Sequence, residues 1–260
     1  MTPDNLRSHA LHGRGIVITR PLEQGRALAA LIEREGGRAI AFPVIDILDV
    51  VDASKLNALI DRLDAFDAAI FISPNAVTKA MQAITARRTF PKDLRVAAIG
   101  AGSARELERR GVRQVIVPKA RYDSEALLDL PELEDVAGKR IVIFRGDGGR
   151  PLVGDTLTAR GATVEYAECY RRVKPTADVT PLLDAWARGE IDGVVATSSE
   201  GLRNLHEMLG DAGRSALAGT PLFVPHPRIA QTARELGLTH IVTTASGDEG
   251  IAHAIQQHYA

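Results

Sequence analysis

Short apolar runs alternate with helical patterns along nearly the whole chain. The runs are rich in Val, Ile and Ala and are apolar on consecutive residues, as in strands that are covered on both faces of a sheet. The segments between them carry apolar residues at helical spacing, as in Leu56, Leu59, Ile60 and Leu63. The predicted strands are 15–19, 38–44, 67–72, 95–99, 114–117, 139–144, 163–169, 192–197, 221–224 and 240–244.

Glycines mark the ends of the predicted helices. Gly36, Gly111, Gly161 and Gly237 each stand where a helix should stop before the next strand begins. Strands that alternate with helices in this way predict an α/β fold in which the sheets are parallel and doubly wound. Ten strands and about as many helices predict two such sheets, each of about five strands.

The chain also repeats itself at an offset of 125 residues. Residues 16–20 (IVITR) return as 141–145 (IVIFR), and residues 66–73 (FDAAIFIS) return as 191–198 (IDGVVATS). A repeat this long indicates an internal duplication of one α/β unit and not a short-period solenoid.

Two long extended segments affect where the domains divide. Residues 42–51 and 164–174 occupy the same place in the two repeats, which predicts a pair of crossing connectors. One domain is then discontinuous and combines 15–44 with 175–260, and the second domain spans 52–165. A simple cut near the middle of the chain is the alternative.

Composition narrows the classes of partner. The 260 residues include 32 basic and 33 acidic side chains, and this net charge of −1 argues against nucleic acid as a partner. No apolar run approaches the ~18 residues of a membrane span, so no membrane partner is expected. Residues 1–14 lack the apolar region of a signal peptide and are predicted to be a loose tail, with the cytoplasm as the location. No exposed apolar stripe stands out, which favours a monomer.

Metal and redox chemistry find little support in the sequence. Cys169 is the only cysteine, which excludes an internal disulfide and a cysteine-based metal site, and its apolar surroundings predict a buried structural thiol. The seven histidines show no HxH or HxxxH spacing. No metal site is therefore predicted.

Residues with anion-binding chemistry follow the predicted strands. In doubly wound sheets ligands bind beyond the carboxyl ends of the strands, where free N–H groups of the following helices also point. Ordinary helix capping is the alternative explanation at each single position. The predicted binding residues are Thr19, Arg20, Ser73, Pro74, Asn75, Gly100, Ala101, Gly102, Ser103, Arg145, Gly146, Thr197, Ser198, Ser199, His226, Pro227 and Arg228.

Several sharper motifs are missing or incomplete. Gly100-Ala101-Gly102 follows a strand and opens a helix, but Arg105 stands where the third glycine of a dinucleotide-binding loop belongs. The sequence contains no Walker A loop and no G-x-S-x-G elbow. A nucleotide site and a hydrolase triad are therefore disfavoured.

Tyr170 is the candidate for proton transfer. It ends a predicted connector strand, just before Arg171 and Arg172. A phenol at that place can donate a proton to a leaving group. A purely structural role, with the ring buried and the hydroxyl in water, is the alternative.

An ordered set of short motifs runs from about residue 15 to 258. They are Thr19-Arg20-Pro21, 42–45 (FPVI), 72–77 (ISPNAV), 98–100 (AIG) with Ala104, 122–128 (YDSEALL), and Arg145-Gly146 followed by Leu152, Leu157, Gly161 and Tyr170. Each motif is short, but as an ordered set they resemble uroporphyrinogen-III synthase.

The resemblance implies a fold and a reaction. The family has two flavodoxin-like domains joined by a two-stranded β-ladder, and one domain is discontinuous. Its enzymes convert the linear tetrapyrrole hydroxymethylbilane to uroporphyrinogen III, inverting ring D and losing water, without a metal or an organic cofactor. The substrate carries eight carboxylates. By this resemblance Tyr170 matches the proposed general acid, and Ser73, Pro74, Asn75, Gly100, Ser198 and the Pro227-Arg228 turn match the ligand edge.

Two segments depart from the family pattern. Ser198-Ser199-Glu200 stands where S-P-x is common, and a carboxylate at Glu200 would repel an acidic substrate unless it points away. His226-Pro227-Arg228 replaces a G-x-T turn and adds a cation. A non-enzymatic two-domain protein that binds a small anion therefore stays the alternative function, followed by a nucleotide-using α/β enzyme.

Overall fold

The protein is represented by a computed structural model that describes residues 10–119 and 121–260. Ten strands and ten α-helices lie in these residues. The strands are β1 (Gly15–Ile18), β2 (Arg38–Ala41), β3 (Asp46–Leu48), β4 (Ala68–Phe71), β5 (Arg95–Ala98), β6 (Arg140–Gly146), β7 (Thr163–Val173), β8 (Gly193–Val195), β9 (Leu222–Val224) and β10 (Ile241–Thr243). The helices are α1 (Leu22–Arg34), α2 (Ser54–Asp61), α3 (Pro74–Thr85), α4 (Ala101–Arg109), α5 (Ser124–Leu128), α6 (Leu152–Ala159), α7 (Thr180–Ala187), α8 (Ser199–Ala218), α9 (Pro227–Glu235) and α10 (Asp248–Tyr259).

The chain divides into two compact units. The first unit is built from the residues up to Asp46 together with Val173–Ala260, and the second unit is Ile47–Arg172. Each unit contains one five-stranded sheet. Within the described residues, no helix combines the length and the apolar character that crossing a bilayer requires.

The sheet of the first unit has the strand order β10-β9-β8-β1-β2. Its strand pairs are parallel, with Ile16 opposite Ala39 on one side and Gly193 on the other. All four residues of β1 are buried, as expected for a central strand that is covered on both faces. Leu28 and Ile32 of α1 and Ile251 and Ile255 of α10 lie in the core on one face.

The sheet of the second unit has the order β3-β7-β6-β4-β5, and the β4–β5, β4–β6 and β6–β7 pairs are parallel. Alternate side chains of its central strands enter two different cores. Phe71 and Phe144 stack in one core with their ring centroids 4.8 Å apart, whereas Ile70 and Ile143 lie in the other. Both rings are fully buried, and the burial of each contributes about 1.5–3 kcal/mol to folding.

One predicted strand was wrong. Residues 114–117 form only an isolated bridge between Ile116 and Ala97, and Gln114 has a left-handed φ of 58° that interrupts an extended strand. The fifth strand of this sheet is instead β3, which lies inside the extended segment 42–51.

Residues 10–14 follow the undescribed start of the chain and pack within the first unit through Leu11. Residues 1–9 of the predicted loose tail 1–14 lie outside the described residues. Leu11 is 1% exposed, and its N–H donates to the carbonyl of Glu35 at 3.1 Å. Its side chain contacts the core beside Ile32 and Gly37. Burial of this one apolar side chain outweighs the polar character of its neighbours in the sequence, so the prediction of a loose tail was wrong for residues 10–14.

Candidate functional site

The predicted residues of the second unit lie at the carboxyl ends of four neighbouring strands. Ser73 follows β4, Gly100 follows β5, Gly146 ends β6, and Tyr170 lies near the end of β7. Because β7, β6, β4 and β5 are adjacent and their described pairs are parallel, these ends share one edge of the sheet.

A hydrogen bond joins Tyr170 to Ser73 across the intervening strand. The phenolic oxygen of Tyr170 lies 3.1 Å from Oγ of Ser73. The ring passes over Gly146, where a Cβ atom would lie only 2.6 Å from two ring carbons. Ser73 also caps α3, since its Oγ accepts a hydrogen bond from the N–H of Ala76 at 3.0 Å. The glycine therefore leaves the space that lets a tyrosine on β7 reach a serine beyond β4.

Burial sets the acidity of the Tyr170 phenol. The side chain is 3% exposed, and this burial raises its pKa above the ordinary value of 10. The hydrogen bond with Ser73 and the charge of Arg172 oppose that rise. The phenol is therefore protonated at neutral pH and is equipped to donate a proton.

Arg145 lies at the same edge, with its guanidinium on the ring of Tyr166. The residue is 6% exposed, and the guanidinium carbon lies 4.8 Å from the ring centroid. Its Nε donates to the carbonyl of Gly146 at 3.2 Å. In the described part of the chain, no carboxylate lies within salt-bridge distance of Arg145. Its terminal nitrogens reach the glycine loop that follows β6, since a Cβ on Gly149 would lie 2.9 Å from one of them.

Cys169 is a structural thiol, as predicted. It is 3% exposed, and its Sγ donates to the carbonyl of Arg145 at 3.2 Å. Desolvation raises the pKa of the thiol to about 12. A nucleophilic or metal-binding role needs the thiolate, which this environment suppresses.

The start of α4 presents small residues at the same edge. Gly100 is the N-cap residue of α4 and lies against the side chain of Tyr122. A Cβ atom on Gly100 would lie 3.4 Å from Cβ of Tyr122. Gly102 is exposed beside Pro74, and Ala101 is half-buried, whereas Ser103 is only 3% exposed. Asn75 is in the first turn of α3. Of the predicted residues at the start of α4, Ser103 is therefore the one whose side chain the structure places in the interior.

In the first unit, Arg20 reaches from the end of β1 to two other elements. Its Nε donates to Oγ1 of Thr197 at 3.2 Å, and its guanidinium forms an ion pair with Asp248 in the first turn of α10. Thr19 is 4% exposed, and its hydroxyl donates to the carbonyl of Val195 at 2.8 Å. The hydroxyl of Thr19 therefore stabilises the contact between β1 and β8 and is already occupied.

The remaining predicted residues of the first unit cap helices or stand exposed. Oγ of Ser198 accepts from the N–H of Gly201 at 2.9 Å, and Nδ1 of His226 accepts from the N–H of Arg228 at 3.1 Å. Pro227 occupies the first turn of α9, and Pro227 and Arg228 are exposed. The hydroxyl of Ser199 lies 2.9 Å from that of Thr232. Capping thus accounts for Ser198 and His226, while Arg228 presents a cation.

Three residues that contact the predicted site residues were not themselves predicted from the sequence. Asp248 pairs with Arg20, Tyr166 supports Arg145, and Thr232 holds Ser199. Asp248 opens a helix after a glycine, which signals a helix start but does not reveal a partner 228 positions away. The other two are interior positions of a strand and a helix and carry no local signal.

A well-formed cavity lies away from these sheet edges. It has a volume of about 440 Å³ and is lined by residues at the amino ends of β4, β5 and β6, among them Ala68, Arg95 and Ile141. None of the predicted site residues lines it. Four acidic and three basic side chains surround it, and Asp67 and Lys139 of this set pair at 3.3 Å, so it offers no net positive charge for an anion. No group of three potential metal ligands is found among the described residues.

Comparison with known proteins identifies the family. The family model described as uroporphyrinogen-III synthase HemD matches residues 26–251. The chain is 35% identical over 244 residues to the uroporphyrinogen-III synthase of Escherichia coli strain K12, with 93% of this chain and 99% of that protein covered. It is 37% identical over 247 residues to the uroporphyrinogen-III synthase of Salmonella typhimurium strain LT2, with the same shares of 93% and 99% covered.

Solved structures show the same fold at lower identity. A mutant uroporphyrinogen III synthase from the extremely thermophilic bacterium Thermus thermophilus superposes with a TM-score of 0.63 at 22% identity, covering 94% of this chain and 100% of that one. The uroporphyrinogen-III synthetase of Helicobacter pylori 26695 gives a TM-score of 0.59 at 13% identity, covering 94% and 99%. These structures show the fold alone, whereas the family match over most of the sequence and the two relatives of 35% and 37% identity confirm the resemblance of the motifs: the chain belongs to the uroporphyrinogen-III synthase family.

Proposed function

We propose that the protein converts hydroxymethylbilane to uroporphyrinogen III in tetrapyrrole biosynthesis, closing the ring with inversion of ring D and loss of water. The observation that carries the proposal is the likeness to the two bacterial synthases over 93% of the chain. An enzyme that catalyses this reaction is classified as a hydro-lyase that closes a ring. The lone pairs of the pyrrole nitrogens assist departure of the leaving group. The proposed reaction therefore needs neither a metal nor an organic cofactor.

Two flavodoxin-like domains are part of the proposal. Taken along each unit, β2-β1-β8-β9-β10 has the strand order 2-1-3-4-5 of flavodoxin-like folds, and β5-β4-β6-β7 follows the same order in the second unit, with β3 at its edge. The shared order supports an internal duplication. The proposed domains are 15–44 with 175–260 and 52–165, linked through 42–51 and 164–174. The neighbouring positions of β3 and β7 in one sheet support that link.

Tyr170 is the proposed general acid. Expulsion of the hydroxymethyl hydroxyl leaves an azafulvene, and a proton donor lowers the barrier because water leaves more easily than hydroxide. The support is the protonated state of the buried phenol and its hydrogen bond at the sheet edge. Most of the rate acceleration comes from holding the four rings in a folded conformation, in which closure with inversion of ring D is faster than closure without it.

Carboxylate recognition is the second proposed task of the site. Arg145 supplies a guanidinium without a carboxylate partner among the described residues, and Arg228 supplies an exposed one. Within the second unit the N-terminal turns of α3 and α4 add N–H groups and the positive ends of helix dipoles, and within the first unit those of α8 and α9 do the same. A substrate with eight carboxylates explains why each unit would present several weak anion contacts. We propose a monomer that acts in the cytoplasm, with the linear tetrapyrrole as its partner.

A ligand panel separates this proposal from its alternative. The melting temperature is measured by thermal shift with uroporphyrinogen III, with nucleotides, and with small anions such as phosphate and citrate. We expect stabilisation by the porphyrinogen at concentrations where phosphate and citrate have no effect. Stabilisation by small anions alone would favour a non-enzymatic anion-binding protein. Stabilisation by nucleotides alone would contradict both functions.

A further inference from the structure

The direction of the Tyr170 side chain depends on an irregularity between β6 and β7. Arg145 lies opposite Glu168, but the next residue, Gly146, lies opposite Tyr170, so the register skips Cys169. A bulge of this kind re-aims a side chain, because successive residues of a regular strand point to opposite faces. Cys169 and Tyr170 accordingly both enter the core that contains Phe144. The bulge brings the tyrosine to the same face as α3.

The hydroxyl of Ser73 has one proton and two neighbours. It accepts from the N–H of Ala76 at 3.0 Å, which occupies one lone pair and leaves the hydroxyl proton free. The phenolic oxygen of Tyr170 lies 3.1 Å away, and either oxygen could be the donor. If Tyr170 donated to Ser73, its own proton would be turned away from a substrate. If Ser73 donates, the phenolic proton stays available.

We propose that Ser73 is a positioning residue that donates its hydroxyl hydrogen bond to the phenolic oxygen of Tyr170 and so directs the phenolic proton to the hydroxyl group that leaves the substrate. The inference rests on the proposed general-acid role of Tyr170 and deepens it. The same hydrogen bond stabilises the phenolate that forms when the proton is given up.

The proton that Tyr170 gives up is returned to it within one turnover. The phenolic O–H bond breaks, the proton joins the hydroxymethyl oxygen, and the carbon–oxygen bond breaks to release water. The electron pair of the pyrrole nitrogen forms the azafulvene. When the macrocycle closes, the pyrrole carbon that has formed the new bond loses its proton, and that proton restores the phenol.

A double-mutant cycle tests whether Ser73 acts through Tyr170. Turnover is measured for the wild type, Ser73→Ala, Tyr170→Phe and the double variant. We expect Ser73→Ala to lower kcat about tenfold, as the loss of one hydrogen bond to a developing charge would, with KM within about twofold of the wild type. In the Tyr170→Phe background the same substitution should change kcat less than about twofold, because the phenolic hydroxyl that Ser73 positions is already absent.

Two further variants separate positioning from helix capping. Ser73→Thr keeps both the cap and the hydroxyl donor and should retain kcat within about threefold. Ser73→Asp keeps the cap, but an ionised carboxylate can only accept, so it should lose as much turnover as Ser73→Ala. Full activity of Ser73→Asp would overturn the proposed direction of the hydrogen bond.

The outcomes distinguish this inference from the function on which it rests. If Tyr170→Phe turns over as fast as the wild type, the acid role of Tyr170 and the inference fail together, whereas isomer III formed by the wild type still supports the synthase activity. If Tyr170→Phe is slow and Ser73→Ala costs the same factor in both backgrounds, only the inference fails.

Discussion

Replacing Gly146 with alanine tests the arrangement that brings Tyr170 to Ser73. The added Cβ would lie 2.6 Å from Cε2 and Cζ of the ring and 3.1 Å from its oxygen. Carbon atoms in contact prefer about 3.5–4.0 Å, so the ring has to move by roughly 1 Å. A movement of that size away from Ser73 lengthens the 3.1 Å hydrogen bond beyond the range in which it contributes.

The energetic cost follows from two losses and one gain. Overpacking beside a buried ring costs about 1–3 kcal/mol, and the lost hydrogen bond costs about 1 kcal/mol. Replacing a glycine returns about 0.5–1 kcal/mol by restricting the unfolded chain. We therefore expect the free energy of unfolding to fall by about 2–3 kcal/mol and Tm to fall by about 5–10 °C in Gly146→Ala. Turnover should fall toward that of Tyr170→Phe.

The assay combines thermal unfolding with measurement of kcat, and Gly219 provides the control. A Cβ on Gly219 meets no atom closer than 3.7 Å, and φ is −84°, so Gly219→Ala should change neither stability nor turnover measurably. Gly146→Ala combined with Tyr170→Leu should regain most of the lost stability, because the clashing ring is gone. Wild-type stability and turnover in Gly146→Ala would refute the placement of the Tyr170 ring over this glycine.

Three further measurements test the roles of Arg145, Cys169 and Glu165 separately. Arg145→Met should raise KM about tenfold at low ionic strength through loss of a charged hydrogen-bond donor, while the exposed Arg109→Met should leave KM within about twofold; equal KM values would contradict carboxylate binding by Arg145. Cys169 in the native protein should react with Ellman's reagent at pH 7.5 at least about 1,000-fold more slowly than in the urea-unfolded chain, since burial raises its pKa to about 12; similar rates would show that the thiol is accessible. The hydrogen bond from Arg62 lowers the pKa of Glu165 below its ordinary value of 4.5, so its stabilisation is present above pH 4.5 and is lost as the pH falls through the lowered pKa. The stability difference between the wild type and Glu165→Gln should therefore shrink between pH 6 and pH 3, and a constant difference would contradict this origin.

The strand pattern was predictable because it is local. Consecutive apolar residues mark covered parallel strands, as in 15–19 and 139–144, and the α/β class with parallel sheets follows from their alternation with helices. The isolated bridge at Ile116 shows the limit of that signal. A Val/Ile run predicts a strand, but the left-handed turn at Gln114 is not visible in composition.

The geometry of the candidate site depends on non-local features. Strand ends locate Ser73 and Gly100 at a sheet edge, and which of the predicted residues bind substrate stays a prediction. The bulge that turns Tyr170 toward Ser73 has no sequence signal, and the Arg20–Asp248 ion pair joins residues 228 positions apart. Such contacts are set by the packing of elements that are distant in sequence, so a local pattern cannot specify them.

The isomer composition of the product distinguishes enzymatic closure with inversion of ring D from spontaneous closure. Freshly generated hydroxymethylbilane is mixed with the protein, the porphyrinogens are oxidised, and the isomers are separated by chromatography against a protein-free control. We expect mainly isomer III, formed faster than by the spontaneous closure. Only isomer I, at the rate of the control, would contradict the proposal that this chain folds the linear tetrapyrrole and inverts ring D.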